Sequence, residues 1–344
     1  MTACRLAGAL AAIFLYSLGT MEAGERIDEG GFFEIHGIDE WVAMRGEDSS
    51  NPVVLVVSGP GVALSAMTPF FTPWEKSFTL VQWDQPGAGA TQARNGDAGT
   101  GSITIDRLAR DGIAVAELAR EKLGARKLAV LAVSGGSIVG LKMVKARPDL
   151  FFAYVGTGQV VSWARQQAAG YALVLERARE KGDDAALAEL EAVGPPPYRD
   201  TAADAVHSRY ASAFTEEEQK EFGSLDPAVR SEMRNPPADA RYVPSGLSLP
   251  DPRAQATVIY DRLRPDIVSF DARSLGLAFD VPMFFIQGTE DLYTVTSEVE
   301  TYEAELRAPS KGLVRIEGGG HSVLFLREPF LRALERLVRE LPSR

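Results

Sequence analysis

Residues 132–136, Ala132-Val133-Ser134-Gly135-Gly136, join an apolar run (127–133) to a helix-like run (137–147). Such a join is a sharp strand-to-helix turn. A serine at its tip sits in strained backbone, and bulk two residues before or after it collides with the adjoining strand and helix. Ala132 and Gly136 meet that requirement. The turn lifts the hydroxyl clear of the sheet edge, and the amide after it, on Gly135, faces the same space at a helix start. Ser134 is therefore expected to be an exposed nucleophile at the carboxyl end of a strand.

Short apolar runs alternate with helical periodicity over much of the chain, which predicts a mostly parallel sheet flanked by helices. Residues 32–35 and 41–45 read as an opening hairpin, and 52–58, 78–84, 127–133 and 151–155 as strands. Residues 103–123 read as an amphipathic helix with Ile105, Leu108, Ile113, Ala116 and Leu123 on one face. From 162 to 279 the strand rhythm is lost. Helices are expected at 168–181 and 184–193, with a break at Pro195-Pro196-Pro197. The sheet resumes at 283–287 and 313–317, and a helix closes the chain at 325–340. The expected organisation is a core in two parts (27–160 and 280–344) around a helical cap (161–279).

Charge and composition narrow the function. A net charge of −11 without a basic stripe argues against nucleic acid as partner. One cysteine, Cys4, excludes an intrachain disulfide and zinc–thiolate chemistry. The three histidines, His36, His207 and His321, are far apart and form no paired metal motif, so neither metal nor cofactor is expected. His36 and His207 read as surface residues. Residues 1–23 carry an apolar stretch (6–18) behind Arg5, ending in Ser17-Leu18-Gly19. That reads as a short signal peptide, hence export, or as an extension upstream of a start at Met21. The stretch is too short for a membrane span, and Cys4 precedes it, which argues against a lipid anchor.

Three further segments cluster with Ser134 in this architecture. Gly288-Thr289-Glu290-Asp291 leaves a late strand, where an acid that orients a histidine belongs. Read alone, Asp291 would be a helix-capping residue. Gly318-Gly319-Gly320-His321-Ser322 follows the last strand on a glycine loop able to carry an imidazole across the sheet edge. Val57-Ser58-Gly59-Pro60-Gly61 exposes backbone N–H groups where α/β crevices form. The order Ser134, Asp291, His321 is that of an α/β-hydrolase triad. It assigns Ser134 as nucleophile, His321 as general base and acid, Asp291 as the acid that holds the imidazole, and Gly135 with Gly59 as oxyanion donors.

From about residue 31 onward the chain resembles the prolyl aminopeptidase (proline iminopeptidase)-like α/β-hydrolases. The family's oxyanion segment, His-Gly-Gly-Pro-Gly, matches Val57-Ser58-Gly59-Pro60-Gly61. Its Asp-Gln-Arg-Gly-x-Gly-x-Ser matches Asp84-Gln85-Pro86-Gly87-Ala88-Gly89-Ala90-Thr91. Its Gly-x-Ser-Trp-Gly-Ser elbow matches Ala132-Val133-Ser134-Gly135-Gly136-Ser137. The resemblance implies a hydrolase with a helical lid over the site, acting on a small molecule or short peptide. The departures concern specificity. Gly135 stands where the family has an aromatic that walls a proline pocket, Val57 and Ser58 replace His-Gly, and Pro86 replaces Arg. Family lid acids bind the substrate amine; among Glu176, Glu180, Glu189, Glu191 and Glu216 to Glu218 none matches that role, and most read as solvated helix faces. Weak preference for proline amides over other substrates is expected. The readings left open are a serine hydrolase of esters or amides, including N-terminal proline bonds, a carboxylesterase or lactonase without peptidase activity, and a non-catalytic ligand-binding relative.

Overall fold

The apolar runs assemble into one eight-stranded sheet in the computed structural model, which describes residues 24–213, 215–234, 246–339 and 341. The strands are β1 (Ile27–Ile35), β2 (Ile38–Gly46), β3 (Val53–Val57), β4 (Thr79–Asp84), β5 (Leu128–Val133), β6 (Phe151–Thr157), β7 (Met283–Gly288) and β8 (Lys311–Ile316). Their order is β1-β2-β4-β3-β5-β6-β7-β8. β2 is antiparallel to both β1 and β4, and the other pairs are parallel. The expected hairpin is present, longer than its most apolar residues indicated. The N-terminal apolar stretch lies outside the described residues.

The helices are α1 (Thr68–Phe71), α2 (Gly89–Thr100), α3 (Ile105–Lys122), α4 (Gly136–Ala146), α5 (Trp163–Lys181), α6 (Asp184–Val193), α7 (Thr201–Ala211), α8 (Glu216–Ser224), α9 (Pro227–Arg234), α10 (Pro252–Val268), α11 (Thr296–Glu305) and α12 (Arg327–Val338). Along β3, Val53, Leu55 and Val57 pack into one core while Val54 and Val56 pack into the other. That is the period-2 alternation of a strand covered on both faces, which is why the run reads as continuously apolar. α3 and α4 close the first face, and α12 with Phe70, Phe71 and Trp74 closes the second.

The helices α5 to α10 are all inserted between β6 and β7. Four of these starts carry a side-chain cap, whereas Ser162 before α5 makes none. Asp183, Asp200 and Asp251 accept from the third amide onward, on Ala186, Ala203 and Ala254. Thr215 and Glu218 form a reciprocal capping box at α8. No described helix is long and apolar enough to cross a membrane.

Candidate active site

The parallel strands β3, β5, β7 and β8 deliver four loops to one edge of the sheet, the carboxyl ends where α/β crevices form. Ser134 leaves β5 with φ of +52°, a left-handed conformation that costs a non-glycine residue about 1 kcal/mol or more. α4 begins two residues later. A Cβ on Gly136 would lie 2.3 Å from Val57 O and 2.4 Å from Ser58 O, so only glycine lets the helix start against β3. This is the close approach expected at the elbow.

Ser134 Oγ lies 2.9 Å from His321 Nε2. On the other side of the ring, Nδ1 lies 3.3 Å from Asp291 Oδ2 and 3.1 Å from Thr294 Oγ1. The Thr294 hydroxyl in turn donates to Asp291 Oδ2 at 2.6 Å. Asp291 Oδ1 accepts from the amides of Tyr293 (2.9 Å) and Thr294 (2.8 Å). Asp291 thus organises its own turn as well as facing the histidine. Burial pushes its carboxyl up, but the His321 charge and the bonds from His321 and Thr294 outweigh this, and its pKa falls below the usual aspartate value. The neighbouring Glu290 points away and pairs with Arg177 at 3.0 Å.

Gly59 and Gly135 adjoin: a Cβ built on Gly59 would lie 3.8 Å from the Gly135 amide nitrogen. Gly135 is the N-cap of α4, where amides have no intrahelical partner. Gln85 Nε2 donates to Ser58 O at 2.8 Å. In a trans peptide the N–H is turned opposite to its carbonyl, so this bond fixes the direction of the Gly59 N–H. Asp84, fully buried, accepts from Ser65 N, Ser65 Oγ and Ala90 N, tying the loops after β3 and β4 together.

A cavity of about 570 Å³ opens over Ser134 and His321. Gly59, Pro60 and Gly135 line it from the core; Trp163, Asp204, Ser208 and Tyr260 line it from the inserted helices, with Tyr293 from the β7 loop. Trp163 packs against Tyr260 and Tyr293, and Tyr293 meets the His321 ring edge-on at 4.8 Å. These three aromatics line the cavity, to which Gly135 brings no ring. A Cβ on Gly135 would sit 3.1 Å from Pro60 Cδ, so Pro60 fills the adjacent space.

Sequence reasoning missed Asp204. It is the one acid among the described residues lining this cavity, it is 2% exposed, and it accepts from Tyr260 OH at 2.6 Å. Burial raises its pKa. The acids singled out from sequence do not line the cavity. Glu176, Glu180, Glu189, Glu191, Glu216 and Glu217 are exposed, as expected of solvated faces. Glu218 departs from that expectation. It is fully buried and accepts from Gly320 N (2.7 Å) and Thr215 N (3.1 Å), clamping α8 onto the glycine loop before His321.

His36 is exposed, with Nδ1 2.7 Å from Asp111 Oδ1. His207 is not a surface residue. It is fully buried, with Nδ1 3.0 Å from Gln167 Oε1, because α7 turns Ala203, His207 and Ala211 inward on a four-residue spacing. Among the described residues no group of three or more His, Cys, Asp or Glu could hold a metal ion.

The strand order and the loops that converge on this cavity define an α/β-hydrolase fold. No family model matches the chain. The chain is 26% identical over 314 residues to the probable aminopeptidase YbaC of Bacillus subtilis (strain 168), covering 87% of this chain and 93% of that protein. It superposes on a proline iminopeptidase-related protein from Thermus thermophilus with a TM-score of 0.60 at 18% identity, over 91% of this chain and 99% of that one. A 2-hydroxy-6-oxo-6-phenylhexa-2,4-dienoate hydrolase from a Rhodococcus species gives 0.59 at 15% identity, over 92% and 100%. The resemblance to prolyl aminopeptidase-like α/β-hydrolases carried by the motifs agrees with these likenesses, which together point to a hydrolase of this type.

Proposed function

We propose that the protein is a serine hydrolase that cleaves esters or amides through an acyl-enzyme, with residues 161–279 acting as a cap over the site. The carrying observation is the continuous chain from Ser134 Oγ to His321 Nε2 and from His321 Nδ1 to Asp291. Ser134 Oγ attacks the substrate carbonyl as its proton passes to His321 Nε2. Asp291 holds the Nδ1–H tautomer and stabilises the imidazolium. The amides of Gly135 and Gly59 receive the charge on the carbonyl oxygen, and loss of one such donor typically costs about 3 kcal/mol in the barrier. The tetrahedral intermediate collapses as His321 returns the proton to the leaving amine or alcohol. Water then repeats the sequence on the acyl-enzyme, with His321 as base.

Asp204 supports a substrate carrying an amine near the scissile bond, as at a peptide N-terminus. A cationic amine beside its buried carboxylate would be paired and desolvated together. A carboxylesterase or lactonase reading is favoured instead if Asp204 stays protonated, since burial raises its pKa and Tyr260 already occupies one oxygen.

Labelling with a fluorophosphonate probe tests the class. Modification at Ser134, lost in Ser134→Ala, is the expected result, together with a fall of about 10⁶ in kcat. Folded wild-type protein that resists the probe would leave a ligand-binding relative as the better reading.

A further inference from the structure

Thr215 and Glu218 do more than start α8. Their capping box is closed by Glu218 N donating to Thr215 Oγ1 at 3.2 Å and Thr215 N donating to Glu218 Oε2 at 3.1 Å. Each side chain makes a further bond outside the helix, to the glycine loop that carries His321. Thr215 Oγ1 donates to Gly318 O at 2.6 Å, and Glu218 Oε1 accepts from Gly320 N at 2.7 Å. Between these two, Gly319 O accepts from the amide of Glu290, next to Asp291, at 2.8 Å. All three glycines before His321 are thus held from outside their own loop. Further along, α8 meets the segment beyond His321: Phe222 packs edge-on against Phe325 at 5.7 Å, and Glu221 lies 3.8 Å from Arg327.

Three glycines in a row have the most backbone freedom to lose and no side chain with which to anchor themselves. The close approach of α8 is what demands them. A Cβ on Gly320 would lie 3.0 Å from Thr215 Cγ2, and one on Gly318, at φ +71°, would lie 2.8 Å from Glu217 Cγ. Yet His321 must keep Nε2 at 2.9 Å from Ser134 Oγ while Nδ1 faces Asp291. A misplacement of about 1 Å in a reacting group can cost about 10² in rate. The freedom that admits α8 therefore has to be removed by α8. Burial makes the same point. A capping box works at an exposed helix start, whereas Glu218 is fully buried, which is costly unless its oxygens are bonded. The bond to Gly320, 102 residues away in sequence, is what its buried position adds.

We propose that Glu218 and Thr215 are positioning residues of the triad: through the backbone of Gly320 and Gly318, α8 holds His321 in line between Ser134 and Asp291. The proposal rests on the hydrolase reading. It makes the helices inserted between β6 and β7 part of the catalytic geometry as well as a wall of the cavity. Neither side chain touches the reacting atoms, so each acts only through the placement of the imidazole.

Two measurements on the full-length chain test it. The first is the ring ¹H–¹⁵N spectrum of ¹⁵N-histidine-labelled protein, which has three histidines. His321→Ala identifies the His321 signals, which in wild type should report the Nδ1–H tautomer. In Glu218→Ala they should move toward those of an imidazole that mixes both tautomers, with the His36 and His207 signals unchanged. The second is turnover of p-nitrophenyl acetate. Glu218→Ala, shown by circular dichroism to be folded, should lose about ten- to a hundredfold in kcat, with KM within about a factor of two. Glu218→Gln keeps an oxygen for Gly320 N and should recover most of the loss. Wild-type ring signals or wild-type kcat in the folded alanine variant would overturn the proposal, since the clamp then serves only to secure α8. A glutamine variant as slow as the alanine one would do the same, because the charge and not the bond would be the cause. Thr215→Val, which removes the bond to Gly318 O, repeats both measurements should Glu218→Ala not fold. The ring spectrum needs no turnover. A wild-type protein that hydrolyses nothing would therefore sink the hydrolase reading and leave the spectrum to decide whether α8 places the imidazole.

Discussion

The hydroxyl of Thr294 donates to Asp291 Oδ2 at 2.6 Å while lying 3.1 Å from His321 Nδ1, closer to the ring than the carboxylate itself at 3.3 Å. The Nδ1–H is therefore shared between an anionic and a neutral oxygen, and Thr294 joins the two. Replacing it with valine keeps the shape and removes both bonds. A lost hydrogen bond to a charged group is worth about 1.5–3 kcal/mol, so Thr294→Val should lower kcat roughly ten- to a hundredfold. Thr294→Ser should recover most of it. Wild-type kcat in the valine variant would mean that the direct Asp291 contact suffices.

Asp291 and Glu290 are adjacent, and the structure separates them. Asp291 is buried against the histidine, whereas Glu290 pairs with Arg177 near the surface. Asp291→Asn should cost about 10⁴ in kcat, the penalty for holding the wrong imidazole tautomer. Glu290→Gln should stay within a factor of two or so, because exposed ion pairs contribute little. The reverse outcome would reassign the acid.

His207 gives a pH prediction for stability. Burial pushes its pKa from an ordinary 6.5 down to about 4. Below pH 6.5 the unfolded chain takes up a proton here that the native protein refuses until about pH 4. The stabilisation is fully present above pH 6.5 and declines as pH falls to 4, by about 3 kcal/mol in all. In His207→Phe the loss of stability between about pH 7 and 4, followed by urea midpoints, should be correspondingly shallower. Parallel pH profiles for variant and wild type would show that His207 protonates freely in the native state.

The core was legible because its signals are local. A doubly covered strand is apolar throughout, as in β3, and a glycine loop after a strand marks an irregular turn, as the one that brings His321 to Ser134. The inserted helices were harder for a physical reason. What makes Asp204, Tyr260 and Trp163 neighbours is the packing of three helices far apart in sequence, and no short-range pattern records it. Part of the signal was nonetheless there. Asp200 caps α7, and Ala203, His207 and Ala211 repeat at helical spacing, which turns Asp204 toward the same interior. Thr215-Glu216-Glu217-Glu218 spells a capping box, so Glu218 could have been separated from its solvated neighbours. α2 was hidden because Gly96 breaks its helical geometry and few of its residues are apolar.

Asp204 gives the test of the proposed specificity. If its carboxylate receives a substrate amine, Asp204→Asn should raise KM for aminoacyl β-naphthylamides by about ten- to a hundredfold, the cost of a lost charged hydrogen bond, and far more than for p-nitrophenyl acetate, which has no amine. Equal changes for both substrates would remove the amine role and favour the esterase reading. Within the amides, the wall expected at residue 135 is absent, and the aromatic lining comes from Trp163, Tyr260 and Tyr293 around a cavity of about 570 Å³. That space is large for a single pyrrolidine ring. Proline, alanine and leucine β-naphthylamides share one leaving group, so their kcat/KM values report the acyl pocket alone. Differences well below a thousandfold are expected, since one missing apolar contact forfeits about 1–3 kcal/mol, or roughly 10- to 200-fold. A preference for proline on the order of a thousandfold would mean that the three aromatics close into a ring-shaped slot on binding. Peptidase specificity would then rest on the inserted helices and not on the elbow.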